Sequence, residues 1–228
     1  MPVFLEGGGE CGALIKARNW SDTLGPVESW SQSLKAAAGL MLRSPVPMVM
    51  LWGGDGIMLY NDPYSVFAGK RHPDLLGSKV REGWPEVADF NDRVMKVGLA
   101  GGTLSFRDQE LTLYRNGVPE LVAMDLDYSP VLGDDGKPAG VLAVVIETTR
   151  RIAAERSLRQ SEGRLRAVLD GMDEGLLVLD RDFRVLDVNA EGGRMEGRPL
   201  SEMIGRHHDD VWPDADPRVM QLYRQVMS

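Results

Sequence analysis

The chain has 228 residues, which is enough for one large domain or two small ones. Hydrophobic residues make up 43% of it and charged residues 26%, a balance that excludes a disordered polar chain. The net charge of −8 argues against nucleic acid or anionic lipid as a main partner, because an acidic surface repels phosphate groups. No apolar run reaches the roughly 18 residues of a membrane span, and no basic stretch opens the N-terminus, so we expect neither a membrane segment nor a secretion signal.

Cysteine and histidine are scarce in the sequence. Cys11 is the only cysteine, so no internal disulfide can form, which fits a protein of the reducing cytoplasm. A zinc site would need Cys11 together with nearly all of His72, His207 and His208, and we therefore expect no metal site. The chain also lacks a P-loop and a helix suited to a phospho-accepting histidine, so no catalytic machinery is expected within residues 1–228.

The N-terminal part predicts loose structure followed by a helix. Residues 1–30 are rich in glycine and polar residues and predict an irregular N-terminal extension, with Trp20 and Trp30 as isolated anchors. Residues 31–43 carry apolar side chains at helical spacing and predict a helix, which ends before Pro45 because proline disfavours helical geometry in the preceding residue.

The next segment predicts a hairpin and then helices. Residues 47–61 contain two short apolar runs around a Gly-Gly-Asp-Gly stretch, which indicates a tight hairpin. Prolines and glycines punctuate residues 62–83, where we expect brief helical turns. Pro85 suits the first position of a longer helix, whose apolar stripe runs to Gly98.

Residues 102–148 have a strand-like pattern. Asn116-Gly117 is the strongest hairpin signal in the chain, and an Asp-Asp-Gly stretch ending at Gly136 marks the next turn. Apolar residues alternate with mostly polar ones between these turns, which predicts a strand with one buried face. Residues 141–148 are apolar on both faces and need cover on both sides, from the predicted N-terminal helix or from a partner chain.

Residues 149–169 predict a charged linker helix. Its apolar positions follow alternating spacings of three and four, which is the pattern of a heptad seam. The seam positions are Ala154, Leu158, Ser161, Leu165 and Val168. Because an isolated helix of this length is marginal in water, we expect a parallel homodimer along the seam, the alternative being a solvated linker helix.

The sequence repeats itself. Residues 75–87 read LLGSKVREGWPEV and residues 203–215 read MIGRHHDDVWPDA, an offset of 128 positions that also aligns Asn61 with Asn189. An asparagine at the end of a strand can cap the following turn, and Trp-Pro supplies an anchor and a preset backbone at a helix start. These are devices of a scaffold rather than catalytic groups.

The repeat predicts one complete module and half of another. We assign residues 31–148 to the complete module and residues 170–228 to the first half of the second, with residues 149–169 between them. Half a sheet leaves its apolar face and edges uncovered. The half-module is therefore expected to be a domain cut short, the alternative being completion by another chain.

The order of the predicted elements resembles that of a PAS domain. The residues that carry the resemblance are IMLYNDPYSVFAGKRHPDLLGSKVREGWPEV and NGVPELVAMDLDYSPVLGDDGKPAGVLAVVIETTRRIAAERSLRQSEGRL. The stretch GALIKARNWSDTLGPVESWSQSL is similar to the lead-in found before the first PAS module of bacterial sensor histidine kinases. The resemblance implies an α+β PAS fold, with a five-stranded antiparallel sheet and flanking short helices, followed by a linker helix and a partial second PAS module.

The same resemblance implies a function. It implies a cytoplasmic sensory and dimerisation module that binds a small molecule or cofactor in its first PAS domain. The linker helix would relay the signal to a downstream effector in the same parent chain, preferably a histidine kinase. The alternative is a ligand-free interaction scaffold whose pocket is filled by its own side chains.

Cofactors known from the PAS family can be assessed from the residues that stand at the matching positions of this chain. Its flavin photosensors carry a reactive cysteine where Val80 and His208 stand here, so cysteinyl-flavin photochemistry is not expected. Haem is not expected either, because residues 85–98 contain no histidine or cysteine, and His207 and His208 are read as solvated loop residues. A non-covalent flavin or a colourless ligand stays open.

Six residues are candidates for a ligand pocket. They are Tyr64, Trp84, Phe90, Arg107, Met124 and Tyr128. For the apolar and aromatic ones, ordinary core packing is the competing interpretation. Arg107 either points inward, where it would hold a carboxylate, or points outward beside an acidic neighbour, which we favour.

Overall fold

The computed structural model describes residues 2–216 together with residues 218, 221, 223 and 225. The chain forms two compact units, Met1–Ala153 and Ala154–Ser228, which we call the first unit and the second unit. The N-terminal residues belong to the first unit, so the predicted division after residue 30 is not a boundary between compact units.

The first unit is built on a five-stranded antiparallel sheet with the strand order β2-β1-β5-β4-β3. Its strands are β1 (Met48–Trp52), β2 (Ile57–Tyr60), β3 (Leu104–Leu113), β4 (Glu120–Leu132) and β5 (Pro138–Glu147). The three predicted turns each connect two strands that are neighbours in this sheet. All three hairpin predictions are therefore confirmed.

Five helices accompany the sheet. They are α1 (Gly9–Ala17), α2 (Gln32–Leu42), α3 (Asp62–Ala68), α4 (Val80–Gly83) and α5 (Ala88–Leu99). Helix α2 begins after Ser31, whose side chain accepts the Leu34 N–H at 3.2 Å, an N-cap contact that fixes the predicted start. Pro85 opens the short 3-10 turn that leads into α5, as its preset backbone favours.

The N-terminal residues are not the irregular extension that their composition predicts. They contain α1, and Cys11, Ile15, Trp20 and Trp30 are buried in the core of the first unit. The Trp20 indole N–H donates to the Ile15 carbonyl at 2.8 Å, and the Trp30 indole N–H donates to the Gly25 carbonyl at 2.9 Å. Glycine-rich composition concealed the helix, since only two side chains of α1, those of Cys11 and Ile15, are fully buried.

Strand β5 is covered on both faces only in part. Val141, Ala143 and Val145 are buried on one face, and Leu142 and Val144 pack against the core from the other. Ile146, at the end of the apolar run, is 46% exposed. Within this chain the last part of the strand lacks cover on one face, and cover there by a partner chain stays a prediction.

Helix α6 (Thr149–Asp170) confirms the predicted linker helix and continues into the second unit, and none of its residues is buried. The second unit also contains the antiparallel pair β6 (Leu177–Leu179) and β7 (Val185–Val188), with α7 (Ala190–Glu196) and α8 (His208–Val211). The repeat aligns Pro213 with Pro85 and so predicts a second longer helix after Pro213, and that helix lies largely outside the described residues.

The repeat in sequence is also a repeat in hydrogen bonding. Asn61 and Asn189 each join a helix, a loop, the start of a hairpin and the following helix through one side-chain amide. The Asn61 amide bonds to the backbone of Met41, Val46, Met48 and Tyr64. The Asn189 amide bonds to the backbone of Leu169, Glu174, Leu176 and Gly192, each 128 positions later.

The backbone repeats as well. Gly77 and Gly205 both have φ of +80°, and Trp84 and Trp212 have φ of −128° and −125°. Since Leu169 takes the place of Met41, the last part of α6 occupies the position that α2 holds in the first repeat. The predicted division after residue 169 therefore cuts through one hydrogen-bonded arrangement.

Candidate functional site

A cavity of about 50 Å³ lies between the sheet of the first unit and the helical segment that contains α3, α4 and α5. Its lining residues are Val49, Leu51, Met58, Tyr64, Phe67, Val80, Trp84, Val87, Phe90, Asn91, Leu111, Leu113, Met124, Leu126, Tyr128 and Val145. Five of the six predicted pocket residues are among them, and Arg107 is not.

The local structure explains how these side chains meet. On β4 the alternation that begins at Val122 buries Met124, Leu126 and Tyr128 on one face, as the sequence pattern predicts. The N-cap at Asn61 starts α3 and places Tyr64, only 3% exposed, in its first turn. The aromatic rings of Phe90 on α5 and Tyr128 on β4 lie 6.2 Å apart between centroids.

The polar side chains of the cavity are uncharged. Burial raises the pKa of Tyr64, an effect that the Trp84 indole and the Arg71 charge offset only in part. Burial, followed by the neighbouring Tyr64, raises the pKa of Tyr128. Both phenols are therefore protonated at neutral pH. The Arg71 guanidinium stacks on the Trp84 ring at 4.6 Å and pairs with Glu86 at 3.1 Å, so its charge is already compensated.

The sequence analysis missed Asn91. This residue is 7% exposed, lines the cavity and makes no side-chain hydrogen bond with any described residue. The signal was present, because Asn91 falls between Val87 and Val94 at helical spacing, where the apolar stripe predicts a hydrophobic residue.

Arg107 corrects one of the six pocket predictions. Its guanidinium pairs with Asp127 at 3.0 Å and is 58% exposed, so the outward orientation is the observed one. The outward orientation follows from the alternation of side chains along a strand, because the preceding residue, Phe106, faces Phe90 and Tyr128. Strand β3 also has a bulge between Phe106 and Gln109. Such a bulge redirects side chains and interrupts the pairing of the strand.

The bulge also contacts the start of α6. Asp108 within the bulge has φ of +50°, an uncommon backbone conformation for a residue other than glycine. Its carboxylate accepts the Thr148 hydroxyl at 2.8 Å and the Arg151 guanidinium at 2.6 Å. On the other side of the bulge, the Phe106 ring lies 5.2 Å from the ring of Phe90.

A second polar cluster lies under α1. The Asp62 carboxylate accepts the backbone N–H groups of Glu10 at 3.0 Å and Cys11 at 2.7 Å, and the Tyr60 hydroxyl is 3.0 Å from His72 Nδ1. Burial, then Asp62, raises the pKa of the Cys11 thiol. The thiol is therefore not activated as a nucleophile, and the cluster serves to hold α1.

His208 corrects another prediction. It is 3% exposed and packs on Trp212 at 5.1 Å between ring centroids, so it is not a solvated loop residue. His207 instead caps α8, its ring accepting the Asp209 N–H at 3.2 Å. Within the described part of the chain, no group of three or more His, Cys, Asp or Glu residues is arranged to hold a metal ion.

The volume of the cavity can be compared with the sizes of flavin and haem, the cofactors considered from the sequence resemblance. A volume of about 50 Å³ corresponds to roughly three to five water molecules at about 10–15 Å³ each. The fused rings of a flavin and the macrocycle of haem do not fit this space without repacking of the core. Val80 lines the cavity and offers no thiol. Among the described helices, none has the length and apolarity that crossing a bilayer requires.

Comparisons with known proteins concern the fold. The family model of the PAS fold matches residues 169–228. Among solved structures, the PAS domain of Bordetella pertussis BvgS is 20% identical, covers 57% of this chain and 97% of its own, and superposes with a TM-score of 0.42. A Rhodobacter sphaeroides LOV protein is 23% identical, covers 52% of this chain and 69% of its own, and superposes with a TM-score of 0.39.

A sensory box sensor histidine kinase from Vibrio cholerae is 16% identical, covers 51% of this chain and 89% of its own, and superposes with a TM-score of 0.35. None of the curated proteins matches the sequence. The predicted fold class is confirmed: the first unit is an α+β domain with the five-stranded antiparallel sheet and flanking helices of the PAS fold.

Proposed function

We propose that the chain is a cytoplasmic sensory and dimerisation module. A small molecule binds in the cavity of the first unit, and α6 relays its presence to an effector domain. The α+β fold with an apolar cavity beside the sheet supports a sensory role, since small-molecule sites are mostly apolar with a few placed polar groups. The single cysteine, whose thiol is buried, supports a reducing compartment.

One observation carries the relay: the β3 bulge contacts both the cavity and α6. Phe106 packs against Phe90 and Tyr128, whereas Asp108, two residues along, bonds Thr148 and Arg151. The left-handed backbone of Asp108 costs energy and persists only while its surroundings hold it. A change in packing at Phe106 is therefore expected to alter the hold on the start of α6.

The relay is tested by hydrogen exchange of the full chain at residues 149–155. Phe90→Leu disturbs the ring contact with Phe106, and we expect severalfold faster exchange at the start of α6. In an Asp108→Asn background the same substitution should add little, because asparagine tolerates the left-handed backbone but loses the ion pair. The control is Lys96→Gln, an exposed position of α5.

Independent effects of Phe90→Leu and Asp108→Asn on hydrogen exchange would contradict the relay. If Phe90→Leu changes the exchange of residues 149–155 equally with and without the Asp108 carboxylate, the bulge does not couple the cavity to α6. The relay is also contradicted if Phe90→Leu leaves the exchange of residues 149–155 unchanged in both backgrounds.

The homodimer, the effector domain and the second PAS module are proposed mainly from the sequence. The heptad seam supports a homodimer, and the resemblance of the N-terminal lead-in supports a histidine kinase as effector in the same parent chain. The match of residues 169–228 to the PAS fold, together with the repeated asparagine network, supports a partial second PAS module in tandem.

The small volume of the cavity favours a second candidate function. A ligand-free interaction scaffold would fill its pocket with its own side chains, and flexible methionines such as Met58 and Met124 suit that purpose. A thermal-shift screen of the full chain with metabolites separates the candidates. Binding to the native state raises the unfolding midpoint, whereas a scaffold responds to none of them.

A further inference from the structure

An open groove of about 1120 Å³ runs along the outer face of α2. Its second wall consists of residues 2–4 together with Val27 and Glu28. The residues that α2 and its C-terminal end contribute are Gln32, Lys35, Ala36, Gly39, Leu40 and Arg43. Because these residues recur every three or four positions, they form one face along the 11 residues of the helix, about 16 Å at about 1.5 Å per residue.

Helix α2 has apolar residues on both of its faces. Leu34, Ala38 and Met41 are buried on the face toward the sheet. On the outer face Leu40 is 65% exposed, and on the second wall of the groove Val3 is 76% exposed. A helix that is apolar on all sides is ordinarily buried on all sides, so this composition suits an outer face that a further element covers.

The shape of the groove suits a segment of protein better than a small molecule. Small-molecule pockets of about 300–1,000 Å³ enclose most of the surface of their ligand. Leu40 and Val3 are largely exposed beside the groove, so a small molecule between them would remain in contact with water. An amphipathic helix instead lays its apolar face into such a groove and keeps its polar face in water.

The groove carries positive charge. The Arg43 guanidinium donates to the carbonyl oxygens of Phe4 and Gly39 at 3.2 and 2.6 Å, and the Lys35 ammonium donates to the Glu28 carbonyl at 2.7 Å. Carbonyl oxygens satisfy the N–H groups without cancelling the charge, and neither cation forms an ion pair with a described residue. Glu28 is the one carboxylate among the described lining residues, so two cations outnumber it in a chain whose net charge is −8.

This charge selects among possible partners. Hydrogen bonds from Ser33, and to the smallest extent the Lys35 charge, lower the pKa of Asp134, but Asp134 does not line the groove. An acidic partner therefore meets complementary charge there, which favours its encounter and its orientation. Two copies of the chain that met groove to groove about a two-fold axis would bring their cations together, which disfavours self-association through this face.

We propose that the groove beside α2 docks an amphipathic helix of another protein, one whose apolar face is flanked by acidic residues. Leu40 and Val3 contact the apolar face of that helix, and Lys35 and Arg43 pair with its carboxylates. The groove shares no lining residue with the cavity beside the sheet. The inference therefore goes beyond the proposed sensory function and does not depend on it.

Two matched synthetic peptides test the site on the full chain. Each has about 18 residues, because shorter isolated helices are marginal in water. Both carry the same leucines along one helical face, and the flanking positions are glutamate in one peptide and lysine in the other. By fluorescence anisotropy of the labelled peptides, we expect the glutamate peptide to bind at least roughly tenfold more tightly at low salt, and the difference to shrink as salt screens the charges.

Variants connect the binding to the groove. Leu40→Gln should weaken binding of the glutamate peptide at least roughly tenfold, whereas Val66→Gln, at a position 83% exposed on α3, is the matched control and should leave it unchanged. Arg43→Gln should weaken binding severalfold and Arg43→Lys only slightly, because lysine keeps the charge. Glu28→Gln should strengthen binding, because it removes the carboxylate that lines the groove.

Several results would overturn the inference. They are equal affinity for the two peptides, no saturable binding of the glutamate peptide up to about 1 mM, and binding that Leu40→Gln does not weaken. Co-sedimentation with phosphatidylglycerol vesicles that Leu40→Gln abolishes would assign the groove to a membrane surface instead. Self-association that Leu40→Gln abolishes in sedimentation velocity would assign it to a second copy of the chain.

Discussion

Single polar side chains organise much of the first unit, and Asp62 shows how. As the first residue of α3 it lies 52 positions from Glu10 in sequence, yet its carboxylate accepts the first N–H groups of α1. These N–H groups have no partner within the helix and carry its positive dipole end, so a carboxylate stabilises them. The glycine at position 9 makes room, since a Cβ there would lie 1.9 Å from an Asp62 oxygen.

The stability that Asp62 provides should depend on pH. Burial alone would raise its pKa, but the N–H and thiol of Cys11 and the N–H of Glu10 together hold the pKa below its ordinary value. A carboxylate with a lowered pKa stabilises the fold above its unfolded pKa, and this contribution is lost as the pH falls through the folded value. Asp62→Asn should therefore cost about 1 kcal/mol at neutral pH, because asparagine keeps one accepting oxygen but loses the charge and the second acceptor.

Urea denaturation of both proteins across acidic pH checks this. The difference in free energy of unfolding between wild type and Asp62→Asn should shrink as the pH falls below about 4, the unfolded pKa of aspartate. Asp22→Asn, at an exposed position, is the control. A difference that stays constant down to the acid limit would show that the Asp62 charge does not hold α1.

At the scale of helices and strands, the sequence predicts those elements whose formation depends on residues close together in the chain. The alternation from Val122 to Tyr128 identified both the strand and its buried face, and Asn116-Gly117 identified a hairpin, because these signals are local. Helix α1 escaped prediction because its cap, Asp62, comes from a distant part of the chain. For Arg107 the sequence left two orientations open, and the favoured outward one, beside an acidic residue, is the one observed. The bulge between Phe106 and Gln109 had no local signal in the sequence.

Asn91 illustrates the opposite case. It was visible in sequence as a break in an apolar stripe, but only the fold shows that this stripe faces a cavity rather than solid core.

The packing of α5 on the sheet depends on one glycine. A Cβ at Gly98 would lie 2.3 Å from Val141 Cγ2, closer than side-chain atoms approach in folded proteins. Gly98→Ala should therefore destabilise the first unit by about 1–3 kcal/mol, as overpacking does in other cores. Chemical denaturation monitored by tryptophan fluorescence measures the change.

A double variant identifies the cause. Val141→Ala removes the opposing methyl groups, so combining it with Gly98→Ala should cost less than the sum of the two single substitutions. Gly54→Ala is the matched control, because nothing lies within 4 Å of a Cβ at that position. Strict additivity would mean that the cost of Gly98→Ala arises from the backbone and not from contact with Val141.

At the scale of the whole molecule, α6 has two different halves. Near its start, Arg151 pairs with Asp108 at 2.6 Å, and near its end Arg166 pairs with Asp187 at 2.7 Å. The last part also stands where α2 stands in the first repeat, since the asparagine network bonds Leu169 as it bonds Met41. The helix is therefore at once the exit from one repeat and the entry to the next.

One face of α6 is nevertheless largely exposed. Leu158, Leu165 and Val168 are 60%, 61% and 60% exposed within one chain, although leucine and valine are among the residues most often buried. They recur on one face at the heptad spacing, where a second helix would cover them. A solvated linker helix would gain nothing from apolar residues at these positions.

Dimerisation should therefore depend on this face. Leu158→Asp and Leu165→Asp each place a charge in the seam, and each should weaken the dimer at least roughly tenfold, which corresponds to about 1.4 kcal/mol. Gln160→Asp puts the same charge on the outer face of the helix, between two seam positions, and should leave association unchanged. Sedimentation velocity over a range of concentrations measures all three. A monomeric wild type, or dimers that resist both leucine substitutions, would mean that α6 is a solvated linker and that the relay acts within a single chain.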